Sequence, residues 1–299
     1  MKLPEFSEYF SGDARTCLMA VLELALAEDG PDLTSEGIFT PTDRAQAVIV
    51  AKSGTVISGL PVIPVVMDLC AARPAELGYT WQALAREGEE VPAGFTVARL
   101  NGPVRQVLRA ERVILNFIAH LSGIAALTRR YVDILEGTGV RLLDTRKTLP
   151  GMRYPDKYAV LCGGGRNHRR NLAEMLMIKD NHIDAAGSIT AAVAMVRERC
   201  RPCPPIEVEC RTTAEVSEAV ACNVERIMLD NMSVEAIRAA LALVPRSIET
   251  EVSGGVTLES LRALATPGVR QPDFISVGRI THSAPSADFS MRIAKDMPA

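Results

Sequence analysis

The second half of the chain alternates two kinds of hydrophobic pattern. Short apolar runs, "VRLLDT", "MLMIKD", "IEVEC", "RIMLD", "SIETEVSGG" and "DFISVG", are too brief and too continuous for half-exposed strands and read as buried ones. Between most of them lie amphipathic stretches, "GSITAAVAMVRER", "TTAEVSEAVA", "SVEAIRAALALV" and "TLESLRALA". Several open on Ser or Thr followed closely by an acid, the signature of a capped helix N-terminus. Alternating strands and helices at this spacing predict parallel β-α units. Closing such units into a barrel is the economical way to protect both sheet edges.

The first half has a different pattern. "AQAVIVAKSGTVISG" predicts two strands around a Ser-Gly turn, and "LPVIPVVMDLCAA" a helix entered through prolines. "EEVPAGFTVARLNGPVRQVLRAER" predicts further extended structure punctuated by Gly and Pro, so this half reads as a small α+β domain. "ERVILNFIAHLSGIAALTRRYVDILEG" then predicts a long helix with Ile114, Phe117, Ile118 and Leu121 on one apolar stripe, joining the domains. No low-complexity linker separates them.

Composition narrows the function classes. With 299 residues and 47% hydrophobic content the chain can bury a large core. Its 33 basic and 36 acidic residues leave a formal charge of −3, so no global field directs it to nucleic acid or membrane. The N-terminal "MKLPEFSEYFSGDAR" has no long apolar stretch, and no later run has eighteen uninterrupted apolar residues, so a cytoplasmic protein is expected. Seven scattered cysteines fit reduced thiols. The one C-x-x-C, Cys200 to Cys203, has no second pair nearby and makes an incomplete zinc motif.

Candidate chemistry gathers where the predicted strands end. Arg146 and Lys147 follow the first, Lys179 and Asp180 the second, Glu209 the third, Asp230 the fourth, Ser253, Gly254 and Gly255 the fifth, and Gly278 the sixth. In a parallel α/β barrel those ends share the face that carries function. Strand ends are also simply where polar residues become permitted, but that does not explain paired basic, acidic and glycine ends. With Arg169 and His168 of "GGGRNHR", the cations predict a substrate bearing several negative charges, since an Arg fork matches carboxylate and phosphate. Glu209 and Asp230 either hold Mg²⁺ together with substrate oxygens or balance the lysines as ion pairs. "SGG" and "VGR" offer backbone N–H groups to a phosphate. Of the other histidines, His120 reads as packed inside the long helix, and His182 and His282 lie in loops near the same face. No Ser-His-Asp arrangement stands out.

"DTRKTLPG", "KYAV", "GGGRNHR" and "IKDNH", followed by "EVEC", "LDN", "SGG" and "VGRITHS", resemble the quinolinate phosphoribosyltransferase family. "DLTSEGIFTPTDRAQAVIVAKSGTVISGLPV" and "AERVILNFIAHLSGIA" extend the resemblance over nearly the whole chain. It implies an α/β fold: an N-terminal α/β sandwich domain, drawn at residues 1–116, and an incomplete, TIM-like α/β barrel at 117–299, with the last ~15 residues packing back on the first domain. It implies transfer of phosphoribosyl from 5-phosphoribosyl 1-diphosphate to quinolinate with decarboxylation, using Mg²⁺. It also implies a homodimer, or a higher oligomer, in which each subunit completes its partner's site.

Carried onto this sequence, the resemblance implies that Arg146, His168, Arg169 and Lys179 bind quinolinate, joined by Arg112 from the neighbouring subunit. Thr145 and Lys147 lie in the same substrate-binding run, with Lys147 touching the diphosphate donor. Glu209 and Asp230 serve the metal and ribose region, and Ser253, Gly254, Gly255 and Gly278 the phosphate cradle. Arg279 departs from the family pattern, which has a small or apolar residue there, and either adds a phosphate contact or crowds the loop. Three other readings share the scaffold: a molybdenum-transport-associated paralogue, which alters the "IKDNH" region kept here; a Schiff-base aldolase using Lys147 or Lys179; and a non-catalytic ligand sensor.

Overall fold

The computed structural model describes residues 3–71, 78–268 and 270–294. The chain forms two compact units, one of residues 1–129, 148–164 and 281–299, the other of 130–147 and 165–280. The chain thus passes from one unit to the other and back twice, where the sequence reading drew a single boundary after residue 116.

The first unit begins with helices α1 (Phe6–Tyr9), α2 (Gly12–Asp29) and α3 (Leu33–Ile38). Leu18, Leu22 and Leu26, a turn apart on α2, are buried, which is the i, i+4 stripe that a helix needs to pack. Then come β1 (Arg44–Ala51), β2 (Thr55–Val56), α4 (Val62–Cys70), β3 (Thr80–Ala83), β4 (Glu90–Val91) and β5 (Thr96–Pro103). β1 and β2 are both strands, as their apolar residues predict, but they do not form a hairpin. β2 pairs with β4, while β1 lies in an antiparallel sheet of order β12-β1-β5-β3, whose last strand in sequence, β12 (Phe289–Ala294), comes from the C-terminal segment.

The long helix α5 spans Val104–Leu135, starting immediately after Pro103. "VRQVLRAER", expected to be extended, is therefore helical, and Val104, Val107 and Ala110 continue its buried stripe. Ile114, Phe117, Ile118 and Leu121 are buried as the periodicity predicts. By length and composition α5 could cross a membrane, but 61% of its most apolar window is buried inside the protein, as in a core helix. Helix α6 (Arg153–Cys162) belongs to the first unit too. Pro155 is tolerated because it falls in the first turn, where its missing N–H is no loss.

The second unit is the predicted run of parallel strands. β6 (Arg141–Leu143), β7 (Leu176–Ile178), β8 (Ile206–Cys210), β9 (Arg226–Asp230), β10 (Glu249–Ser253) and β11 (Phe274–Ser276) form a six-stranded sheet of order β6-β11-β10-β9-β8-β7, every pairing parallel. Among the described residues no ladder joins β7 to β6, so the barrel is incomplete; a single bridge, Leu143 to Arg166, extends it past β6.

Between the strands run α7 (Asp180–Ala186), α8 (Ile189–Arg199), α9 (Thr213–Ala221), α10 (Val234–Leu243), α11 (Leu258–Ala265) and the short α12 (Arg279–His282). The side chains of Ser188, Thr212, Ser233 and Thr257 cap α8 to α11 as the sequence predicts. With each strand followed by a helix and all strands parallel, their C-terminal ends share one face.

Candidate active site

Asp144, next after β6, is fully buried, and its oxygens accept the His168 backbone N–H and the Asn167 amide, both at 2.8 Å. This pins the "GGGRNHR" segment beside the end of β6. Thr145 then turns the chain, its Oγ1 accepting the Lys147 N–H at 3.0 Å, and Arg146 and Lys147 emerge exposed. Arg169 is buried to 9% exposure, and its Nη1 donates to the Met175 carbonyl at 2.9 Å. Its guanidinium is held below the usual arginine range by burial first and then by the charge of Arg146. Among the described residues neither arginine makes a salt bridge. Two neighbouring cations, neither of them in a salt bridge, are suited to an anion from outside.

Residues Asn167 to Arg170, with Glu174 and Met175, line an open hollow of about 280 Å³. Lys179 follows β7 and caps α7, its backbone N–H donating to His182 Nδ1 at 3.0 Å, so His182 acts on the local turn. The Lys179 ammonium donates to Glu209 Oε2 at 2.9 Å. Glu209 thus pairs with Lys179 through one of its two carboxylate oxygens. Asp230 ends β9 and accepts the Asn231 side-chain amide at 2.7 Å.

The glycine ends meet a neighbouring loop. Gly254 has φ +92°, and a Cβ there would lie 2.2 Å from Asn231 Oδ1, so only glycine lets "SGG" pack on "LDN". The Asn231 N–H donates to the Ser253 carbonyl, and Ser276 Oγ to Ser253 Oγ. Arg279 is exposed and hydrogen-bonds the buried Tyr131 hydroxyl, whose ionisation burial opposes most.

His168 occupies a different setting from the one the sequence suggests. Its ring is 5% exposed and turned inward, Nδ1 accepting the Arg169 N–H at 2.7 Å and Nε2 lying 2.9 Å from Glu207 and 3.4 Å from Glu251. Those glutamates, both fully buried, escaped the sequence reading. "IEVEC" and "IETEV" each place two acids two residues apart, on one face of a strand otherwise fit for burial, and that alternation was the available signal. His120 packs within the first unit, its Nε2 at 2.7 Å from the buried Asp156, and His282 Nδ1 pairs with Ser283 Oγ. Arg112 is exposed on α5 in the first unit.

Family models of quinolinate phosphoribosyl transferase match this chain twice, the N-terminal domain over residues 32–122 and the C-terminal domain over 124–292. The chain belongs to the quinolinate phosphoribosyl transferase family. A probable nicotinate-nucleotide pyrophosphorylase (carboxylating) of Bacillus subtilis is 41% identical over 262 residues, 88% of each chain. Its counterpart in Synechocystis is 42% identical over 280 residues, 92% of each. The crystal structure of NadC from Streptococcus pyogenes superposes with a TM-score of 0.87 at 37% identity, covering 95% of this chain and 99% of that one. The transferase fold, an N-terminal α/β domain with an incomplete α/β barrel, is the one described above.

Proposed function

We propose that the chain transfers the phosphoribosyl group of 5-phosphoribosyl 1-diphosphate to quinolinate and decarboxylates the adduct, yielding nicotinate mononucleotide, CO₂ and diphosphate. Family membership supports this, and one observation carries it at the site: Arg146 and the buried Arg169 lie close enough to repel each other, and neither is in a salt bridge among the described residues. A pyridine dicarboxylate supplies two anions on a rigid ring, a match for two guanidinium forks and the Lys179 ammonium.

In this reading Arg146, Arg169 and Lys179 hold quinolinate with its ring nitrogen facing the ribose anomeric carbon. Thr145 shapes the turn, and Lys147 meets the donor's diphosphate. Ser253, Gly254, Gly255 and Gly278 cradle the ribose phosphate through backbone N–H groups, and Arg279 adds charge at the edge. The nitrogen attacks as diphosphate leaves, through a transition state with oxocarbenium character, so alignment and charge stabilisation carry the rate. The ribosylated nitrogen is then cationic and stabilises the carbanion left as the adjacent carboxylate departs as CO₂.

Glu209 and Asp230 fit a hard cation: they end neighbouring strands, and each keeps one carboxylate oxygen outside the hydrogen bonds to Lys179 and Asn231. Mg²⁺ held there would neutralise the leaving diphosphate. The same reading includes a cytoplasmic homodimer in which Arg112 reaches the partner's site. Incubating the protein with quinolinate, the donor and Mg²⁺ should yield nicotinate mononucleotide and CO₂. No product under any metal condition overturns the reading.

A further inference from the structure

Residues 148–164, which include helix α6, return to the first unit between two runs of the candidate site, 145–147 and 167–169. Whatever holds this segment at its ends governs where those runs end and begin. The two ends are held differently.

On the N-terminal side the anchor is a buried carboxylate. Asp156 of α6 is 0% exposed, and burial holds its carboxyl above the usual range, more than its hydrogen bonds lower it. Its Oδ1 lies 2.7 Å from Nε2 of His120 on α5, and its Oδ2 accepts the Leu149 N–H at 3.3 Å. The Leu149 carbonyl in turn accepts the Met152 N–H, and Arg153 Nε donates to Thr148 Oγ1 at 2.9 Å. Through one carboxylate, α5 thus reaches the backbone just beyond Lys147. An apolar residue at 156 would pack α6 without the desolvation cost, so packing alone does not account for this acid. What the carboxylate adds is direction. It fixes a backbone N–H in a turn whose Arg146, Lys147 and Leu149 side chains are exposed and supply little packing.

The far end of α6 is tied to the same helix, but the site run beyond it has further support. Arg129 of α5 donates to the carbonyls of Gly163 at 3.0 Å and Cys162 at 3.4 Å, where a helix C-terminus favours a cation. A Cβ on Gly163 would lie 2.5 Å from the Ala125 carbonyl oxygen, so the chains touch there. The run that follows is anchored again by Arg166, which bonds the backbone of Leu142 and Asp144, and by the Asp144 carboxylate on the His168 N–H. The Thr145 Oγ1 bond to the Lys147 N–H, by contrast, is made inside the turn itself.

We propose that His120 and Asp156 are positioning residues for the phosphoribosyl donor: from α5 they hold the turn at Leu149 and so set where the Lys147 ammonium meets the diphosphate. This rests on the reading of Lys147 as a donor ligand. Both residues act through the turn and not on the reacting atoms.

Amide hydrogen exchange, followed by NMR on the ligand-free protein, tests the hold independently of the reaction. His120→Leu removes the polar contact at similar volume and should speed exchange of the Leu149 amide roughly tenfold. His120→Gln, which keeps a polar atom in the place of Nε2, should restore the slow rate. Kinetics then test positioning. His120→Leu should raise the donor KM roughly tenfold while quinolinate binding to the free protein, read by calorimetry, stays within about twofold, and His120→Gln should recover the donor KM. Arg129→Met loosens the far end of α6 and, as the control, should leave the donor KM in place. Asp156→Asn keeps the shape with one accepting atom in place of two, and should show the same split if His120→Leu does not fold. Unchanged exchange at Leu149, an unchanged donor KM, an equal loss of quinolinate affinity, or an equal donor effect from Arg129→Met would overturn the proposal. Absence of turnover in the wild type would instead overturn the proposed reaction, and the exchange rates would still decide whether His120 and Asp156 hold the turn.

Discussion

Arg169 is the residue on which substrate choice should turn. Nicotinate lacks the carboxylate next to the ring nitrogen, so in its complex Arg169 and Arg146 would share too little negative charge and go on repelling each other. Removing one partner from a desolvated charge pair costs a few kcal/mol, so nicotinate should bind roughly 10²-fold more weakly than quinolinate. Calorimetry on the free protein measures both, and comparable affinities would refute the cationic clamp. Arg169→Ala should abolish most of the difference by weakening quinolinate alone. Single residues were unevenly legible in the sequence. Arg146, Lys147, Lys179, Glu209 and Asp230 stood out because charge at the end of an apolar run needs a reason. His168 was legible as important but not in its setting, because one sequence does not reveal that Glu207 and Glu251 turn inward on two strands to meet its ring. Asp144 hid for the same reason, being an acid whose partners include a backbone N–H and an amide from a distant segment.

At the scale of elements, the parallel strands and their capped helices follow from pattern alone, since buried strands must be apolar throughout and helix caps need a side-chain oxygen. The pattern failed where punctuation misled it. Gly102 and Pro103 end β5, but the helix begins at the very next residue, Val104, so no loop separates them. Helix α6 carries Pro155 and so lacked a clean helical signal, yet it supports an unexpected feature. The Glu87 carboxylate accepts the N–H groups of Gly59 and Leu60, just before α4, and meets Cys162 of α6. Burial raises it from 4.5 to about 7, more than these hydrogen bonds lower it. Raised in the folded state, it contributes stability at acid pH that is lost as pH climbs from its unfolded value through about 7. The denaturation midpoint should therefore fall across that window, and Glu87→Gln should flatten the fall; an identical slope in both proteins would disprove it. Loops obey the same physics. Gly254→Ala would force a Cβ against Asn231 at φ +92°, costing about 1–3 kcal/mol in backbone strain, so it should lower the melting temperature and raise the KM for the phosphoribosyl donor more than that for quinolinate.

For the molecule as a whole, what the sequence conveyed best was the division of labour: an α+β first half and a β-α second half that carries most of the candidate site. What it could not convey is how the chain distributes itself, since residues 148–164 and 281–299 return to the first unit although they follow barrel strands. Such returns depend on long-range partners, β12 on β1 being one, that local periodicity does not encode. The division bears on Arg112, which lies in the first unit, while Lys147 lies in the second. If a subunit's Arg112 serves its partner's site, each site combines one chain's Arg112 with the other chain's Lys147. A mixed dimer of Arg112→Ala and Lys147→Ala chains then has one site with both lesions and one with neither. Random exchange makes half the dimers mixed, with one sound site in two, so two inactive proteins should recover roughly a quarter of wild-type activity in a twofold-symmetric assembly. If both residues served the same chain's site, every site in the mixture would carry a lesion. Mixed dimers verified by differential tagging but devoid of activity would therefore rule out a shared site, and recovery near the expected level would establish it.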